Sequence, residues 1–423
     1  VPGWTSIRSL SFVQVDELPT EPATAGGAGP EQLTGGAALD TWSNVCSDEC
    51  MRWDAQRLDL DEPETLPGLP TVRGLLRSIE VPEFPGLTFH EVRAKSALNA
   101  VPQGSAMPFS HTINTFRGCS HACVYCFARG THEWLELDSG ADFDQQIVVK
   151  TNVAEVLRRE LARPSWKREH VALGTNTDPY QRAEGRYRLM PGVIDALARS
   201  GTPFSILTKG TLARRDVPLL CAASRDVPIG MGVSMAIWDD DLHAALEPGV
   251  PTPRARLDLV RAITDAGLSC GVFLAPVLPG LTDRLEHLEA AIGAIAAAGA
   301  TGVTVLPLHL RPGAREWFTT WLAREHPGLV GRYKQLYGRG AYVPAEYRSW
   351  LAGRVAPILA RHGLDRQTGG TAFGLAGSTG APAGSDTGLP GDESAGFPAG
   401  SLPVRSAQQG AAAQLAPEQL ALC

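Results

Sequence analysis

The stretch PFSILTKGTLARRDVPLLCAASRDVPIGMGVS, residues 203–234, sets two apolar runs on either side of a helical pattern. The runs PFSILT (203–208) and PIGMGVS (228–234) are nearly continuous rather than alternating. Strands of that kind are buried on both faces, and a helix between two of them is the crossover of a parallel sheet. The pattern predicts that helix over 212–223. Working outward, the same alternation recurs. HTINTF (111–116) and HVALGT (170–175) precede this unit, and SCGVFLA (269–275) and GVTVLPLH (302–309) follow it. Thr151 and Asn152 stand where they can cap a helix carrying Val153, Val156, Leu157 and Leu161. Further helices are expected at 189–200, 253–267 and 283–299. Gly201 and Gly267 stand just past two of them as C-terminal stops.

Six strand–helix units suit an α/β fold, either an open barrel or a doubly wound sheet. The polar residues help to choose. Thr175, Asn176, Thr177 and Asp178 follow the second strand, and Thr208 and Lys209 the third. Ser234 ends the fourth, Pro276 follows the fifth, and His309 and Arg311 close the sixth. Chemistry in both folds sits at the carboxyl ends of strands. Contributions from several strands at once favour a barrel mouth. No G-x-G-x-x-G follows a strand, which weakens a dinucleotide-binding reading.

The chain has 423 residues and a formal net charge of -7. That charge is uneven: residues 1–66 carry -9, residues 366–423 carry -2, and residues 67–365 carry +4. A dedicated, strongly basic nucleic-acid binder is thereby disfavoured, while a local basic groove is not. No stretch reaches the roughly 18 apolar residues that span a bilayer. The N-terminus has no basic segment leading into an apolar one, so it does not read as a signal peptide. The expected compartment is cytoplasmic, with no membrane partner. Residues 1–66 read as an acidic, disordered extension, with a native start near Met51; an intact native peptide from residues 1–50 would overturn the late start. The remaining boundaries are a lead-in at 67–110, the barrel at 111–310, a helical extension at 311–365 and a flexible Gly/Ala/Pro/Ser-rich tail at 366–423.

Three of the eight cysteines fall within Arg117-Gly118-Cys119-Ser120-His121-Ala122-Cys123-Val124-Tyr125-Cys126, a C-x3-C-x2-C spacing just after the first strand. Three thiolates on one short loop can converge on a metal centre. A [4Fe–4S] cluster takes four ligands, so three local cysteines leave one iron open to a substrate or cosubstrate. A zinc site completed by His121 or a distant cysteine is the alternative. Cys46 and Cys50 form a second C-x3-C that can also bind metal. Cys221 and Cys270 read as small core residues.

The cysteine motif, with an aromatic before its third cysteine, resembles the radical S-adenosylmethionine (radical SAM) superfamily. Further phrases resemble its spore photoproduct lyase-like, or DNA repair photolyase-like, branch. They are KSALN (95–99), RGCSHACVYCFARGTHE (117–133), VVKTN (148–152), TDPYQRAE (177–184), LTKGTL (207–212), RRD (214–216), LEP (246–248) and APVLPGLTD (275–283). The resemblance covers roughly residues 80–330. It implies a partial (β/α)6 TIM-like barrel of radical SAM type with N- and C-terminal extensions. It implies a [4Fe–4S] cluster on Cys119, Cys123 and Cys126, with S-adenosylmethionine chelated at the open iron. An electron from a reductant such as flavodoxin or ferredoxin would then cleave the sulfonium, and the 5′-deoxyadenosyl radical would abstract hydrogen from an unknown substrate, nucleic acid included.

By the same resemblance Tyr125 lies near the adenine, and Lys209 and Ser234 meet the cosubstrate's carboxylate or ribose. Thr177 and Asp178 join them, although Asp178 before Pro179 reads equally as a turn former. Tyr180, His309 and Arg311 face the substrate. Lys209 has independent weight: the chain has five lysines against 33 arginines, so a lysine at a strand end answers a specific geometry. One departure matters. Spore photoproduct lyase carries a hydrogen-donating cysteine at the end of the second barrel strand, and residues 171–177 contain none. Thymine-dimer repair is therefore not implied. The competing reading is a non-catalytic scaffold holding zinc or a structural iron–sulfur centre.

Overall fold

The computed structural model describes residues 74–102, 109–338 and 340–364. Cys46, Cys50, the acidic extension and the C-terminal tail lie outside them. In chain order the elements begin with strands β1 (Leu75–Glu80), β2 (Thr88–Val92), β3 (Leu98–Ala100), β4 (His111–Ile113) and β5 (Phe116–Arg117). A 3-10 helix (Phe127–Leu135), α1 (Ala141–Gln145), β6 (Gln146–Lys150) and α2 (Val153–Leu161) follow. Next come β7 (Val171–Leu173), α3 (Arg182–Tyr187), α4 (Leu189–Arg199), β8 (Phe204–Thr208), a 3-10 helix (Thr211–Asp216) and α5 (Val217–Ala223). Then come β9 (Ile229–Ser234), α6 (Asp240–Leu246), α7 (Pro253–Asp265), β10 (Cys270–Val277), α8 (Leu285–Ala297) and β11 (Gly302–Pro307). Helices α9 (Ala314–Glu325), α10 (Val330–Leu336) and α11 (Ala345–Arg361) end the described chain.

The main sheet has the order β11-β10-β9-β8-β7-β4-β3. The six strands from β4 to β11 in that sheet pair in parallel, and β3 joins β4 antiparallel at one edge. A doubly wound sheet reverses its strand order at a switch point. Here the order runs one way throughout, so the six units form a partial (β/α)6 barrel. All of β9 is buried, as an apolar strand covered on both faces should be. The expected glycine stops hold. Gly201 has φ +69 and Gly267 φ +85, and Thr202 N donates to Leu197 O and Leu268 N to Ile263 O, closing both helix ends. Among the described residues no helix is long and apolar enough to cross a membrane.

Three local expectations need correction. The run 111–116 is not one strand: β4 ends at Ile113, and Phe116 leaves the barrel to pair with Val149. The cause is a strand that runs into VVKTN. Strand β6 lies between β2 and β5 in a second sheet, β1-β2-β6-β5, and Phe116 packs there with Phe89, Ile147 and Val149. The helix over 212–223 splits, because Pro218 lacks an N–H and fits only the first turn of α5. Asn152 and Thr151 do not cap α2 with their side chains. The Asn152 amide instead bonds both backbone groups of Ala94, at 2.7 and 3.0 Å, and the Thr151 hydroxyl donates to Val92 O. They fasten the exit of β2 to the start of α2.

Gly174, at φ +84 after β7, would place a Cβ 1.8 Å from Leu207 O. We expect Gly174→Ala to lose about 3 kcal/mol or more, read as a lower urea midpoint. Stability should also fall with acid. Burial pulls His132, His170 and His309 down to about 4. The unfolded chain takes up those protons near pH 6.5, before the native state does, so the contribution of these three histidines to stability is full above pH 6.5 and is lost as pH falls towards 4. A pH series of thermal midpoints checks this.

Candidate active site at the barrel mouth

Arg117 ends β5, and the cysteine loop follows directly. Its anchors come from several directions. Cys119 N donates to Phe143 O (2.9 Å), Val124 N to Leu246 O (2.9 Å) and Gly249 N to His121 O (3.1 Å). The wholly buried Gln181 accepts from Ser120 N (2.9 Å) and donates to Gly118 O (3.0 Å). The buried Arg129 guanidinium donates twice to Cys123 O, at 3.2 and 2.9 Å, and pairs with Asp144 at 2.9 Å. Gly249 is required here, because a Cβ on it would meet Ser120 O at 2.1 Å.

Cys119 and Cys123 are buried and Cys126 half-buried. Burial pushes the Cys123 thiol well up and Cys126 up to about 11; Lys209 opposes the rise at both, and Arg129 at Cys126. The sulfurs are close enough to repel one another as thiolates. Holding Cys123 and Cys126 as thiolates therefore calls for a cationic centre, because metal binding and thiol ionisation are linked. Three soft donors on one loop, with Lys209 and Arg129 nearby, fit an iron–sulfur cluster by their chemistry. Among the described residues no group of three or more His, Cys, Asp or Glu is arranged to hold a single metal ion. His121 turns its Nδ1 to Asp178 at 3.4 Å. Burial opposes charge on that ring, but Asp178 and the Cys119 sulfur outweigh it and push His121 up to about 10.

Beside the loop lies a connected polar set. The Tyr125 hydroxyl donates to Glu247 Oε1, and Arg256 Nη2 donates to Glu247 Oε2 at 2.7 Å. Arg256 Nη1 donates to Ser234 O (2.8 Å), and Lys209 Nζ donates to Ser234 Oγ (2.9 Å). Lys209 Nζ also stands 3.9 Å from Glu247 and 5.6 Å from the centre of the Tyr125 ring. Glu247 and Arg256 are both 0 % exposed. Burial works against the Glu247 carboxylate, but the Arg256 guanidinium and then Lys209 hold it below the usual range.

The fold thus gathers Cys119, Cys123, Cys126, Tyr125, Lys209 and Ser234. The other expected residues are placed differently. Thr177 is buried with its hydroxyl on Phe116 O at 3.0 Å. Asp178 accepts from Tyr180 N, the Thr208 hydroxyl and Lys209 N at 2.6–2.8 Å, tying the end of β7 to the end of β8. Tyr180 is 1 % exposed and packs in the core, so it does not face the mouth as expected; the turn at Asp178 folds it inward. The His309 ring lies 5.5 Å from both Phe127 and Tyr342, next to the cysteine loop, with the half-buried Arg311 near enough to oppose its protonation. Glu247, Arg256, Gln181 and Arg129 were not anticipated. Arg256 had a signal: it shares the buried face of α7 with Leu257, Val260 and Ile263, where an unpaired arginine has no place.

A model of the radical SAM superfamily matches residues 113–292. The chain belongs to the radical SAM superfamily. Enzymes of this superfamily use a [4Fe–4S] cluster and S-adenosylmethionine. An uncharacterized protein of Mycobacterium tuberculosis is 61% identical over 318 residues, 74% of this chain and 93% of that one. One from Acidianus two-tailed virus is 26% identical over 227 residues, 52% of this chain and 74% of that one. Among solved structures, the fold is similar to spore photoproduct lyase complexed with dinucleoside spore photoproduct, at TM-score 0.49 and 14% identity, covering 65% of this chain and 79% of that one.

Arg256→Met should cost about 3–5 kcal/mol, because it strips a buried carboxylate of its close cation and leaves it Tyr125 and the more distant Lys209. Glu247→Gln combined with Arg256→Met should recover part of that loss. Denaturant unfolding of the two variants checks both statements.

Proposed function

We propose that the chain holds a [4Fe–4S] cluster on Cys119, Cys123 and Cys126 and reductively cleaves S-adenosylmethionine. The observation that carries this reading is the joining of the three-cysteine loop to the Tyr125–Glu247–Lys209–Ser234 set at one end of the barrel. When bound, the cluster supplies the electron that splits the sulfonium into methionine and a 5′-deoxyadenosyl radical, which takes hydrogen from the substrate. The protein's part is binding, orientation and exclusion of water. Lys209 Nζ, steered by Ser234 and Glu247, meets the cosubstrate's carboxylate. Tyr125, fixed by its bond to Glu247, would lie near the adenine. His309, kept neutral by burial against Phe127 and Tyr342, lines the substrate side with Arg311.

The reductant is a flavodoxin or ferredoxin, and the +4 charge of residues 67–365 accommodates an anionic substrate, with nucleic acid the first class to screen. Anaerobic reconstitution should give a brown protein carrying about four irons. Dithionite and S-adenosylmethionine should then yield 5′-deoxyadenosine. Cys123→Ala should lose both the cluster absorbance and the product. A reducible cluster that never yields 5′-deoxyadenosine would sink the catalytic proposal, as would stoichiometric zinc without iron and sulfide in protein purified without air.

A further inference from the structure

The face of the second sheet beside the cysteine loop carries donors with nothing to accept from them. Strand register places Arg117 opposite Val148, and Lys150 N donates to Thr115 O at 3.1 Å, which extends the pairing by one step to Thr115 opposite Lys150. Side chains alternate across a sheet, so Thr115, Arg117, Val148 and Lys150 share one face. The opposite face is apolar, with Phe116, Ile147 and Val149 packed on Phe89.

Thr115 is 1 % exposed and Lys150 6 %. Arg117 is half-buried, and its Nη1 is covered completely. Neither Arg117 Nη1 nor Thr115 Oγ1 has a hydrogen-bond partner, and no described residue accepts from Lys150 Nζ or pairs with it. The two cations are close enough for Arg117 to oppose the charge on Lys150. Glu160 is the acid within electrostatic reach of Lys150, but its Oε2 accepts from Ala97 N and Leu98 N, each at 3.0 Å. His90 and His132 flank the same face without adding an anion: burial holds both rings below their ordinary value, and Asp142 acts on them without an ion pair.

A guanidinium nitrogen and a hydroxyl buried without partners are costly, and a fold that keeps both beside a second cation retains them for an anion. The three side chains offer a guanidinium nitrogen, an ammonium and a hydroxyl, with the buried, unpartnered Nδ1 of neutral His132 on the same face. Two cations repel a further cation and suit an oxyanion, which the hydroxyl can also meet as a donor. We infer that Thr115, Arg117 and Lys150 form a cradle for an oxyanion, phosphate or carboxylate, at the edge of the cysteine loop, and that the anion belongs to the substrate. The cradle stands on the geometry alone; its assignment to a substrate rests on the function proposed above.

The test uses the reconstituted full-length protein and reads binding rather than turnover, so a protein that fails to cleave S-adenosylmethionine still answers it. Thermal unfolding and titration calorimetry are run with inorganic phosphate and with acetate against chloride at equal ionic strength. The protein is compared with Lys150→Met and with Thr115→Val/Lys150→Met. Phosphate or acetate should raise the wild-type midpoint saturably. Lys150→Met should bind at least tenfold more weakly, yet unfold at a higher temperature than wild type when no oxyanion is present. The absence of a saturable effect of either probe, or an equal response in the double variant, would overturn the cradle. Saturating S-adenosylmethionine separates the two sources of the anion. Retained phosphate or acetate binding supports the substrate, and displacement would overturn that assignment in favour of the cosubstrate's own carboxylate.

Discussion

A single carboxylate holds the barrel mouth together. Glu247 is sealed from water, and in water-free surroundings a charge of that kind survives only with close partners. It has them on three sides: Arg256 from α7, Tyr125 from the cysteine loop and Lys209 from the end of β8. Each partner is thereby fixed in place by the need to satisfy the others. Arg256 passes the constraint on to the backbone of Ser234, and Lys209 to its hydroxyl. The cysteine loop, two strand ends and a helix are registered against one another through one side chain. Asp178 does similar work on the opposite flank, joining His121 of the loop to Thr208 and Lys209.

The parts of this arrangement that could be read in advance are those with a local cause. The barrel strands from β7 onward are near-continuous apolar runs and were recognisable because burial on both faces favours that pattern, whereas the first, HTI, reads on in sequence through Phe116. The three cysteines were recognisable by spacing, and Lys209 and Ser234 by standing where strands end. What escaped depends on partners distant in the chain. VVKTN holds only the last three residues of β6, and a five-residue strand at the foot of a helix cannot be told from the helix's own lead-in until β2 and β5 are seen to enclose it. Tyr180 follows a strand end as a mouth residue would, and only the Asp178 turn sends it into the core. Glu247 lies 122 residues from Tyr125, and nothing near it in sequence shows that they meet. Asn152 and Thr151 sit at the head of a helix as caps do, yet a stretch of chain almost sixty residues earlier uses them instead.

The two sheets also divide the labour. The barrel positions the ends of β8 and β9, which carry Lys209 and Ser234. The smaller sheet positions the entry to the cysteine loop and brings the unpaired donors of Thr115, Arg117 and Lys150 alongside it. The loop leaves β5 and the chain returns to β6 of the same small sheet, while Leu246 and Gly249, which follow β9 of the barrel, hold its backbone, so both sheets shape it.

Gly249 and Leu246, which clasp the loop through His121 and Val124, have a consequence for how portable the motif is. A zinc-finger segment excised from its protein can organise itself around its metal, because its own residues close the turn. These ten residues close two turns of their own, Ala122 N on Cys119 O and Cys126 N on Cys123 O, but the contacts that set those turns against one another come from more than a hundred positions later. A synthetic peptide of the motif would keep the local turns and lose that clasp. The C-x3-C-x2-C signature is a local feature of the text, but the competence it stands for is a property of the finished barrel.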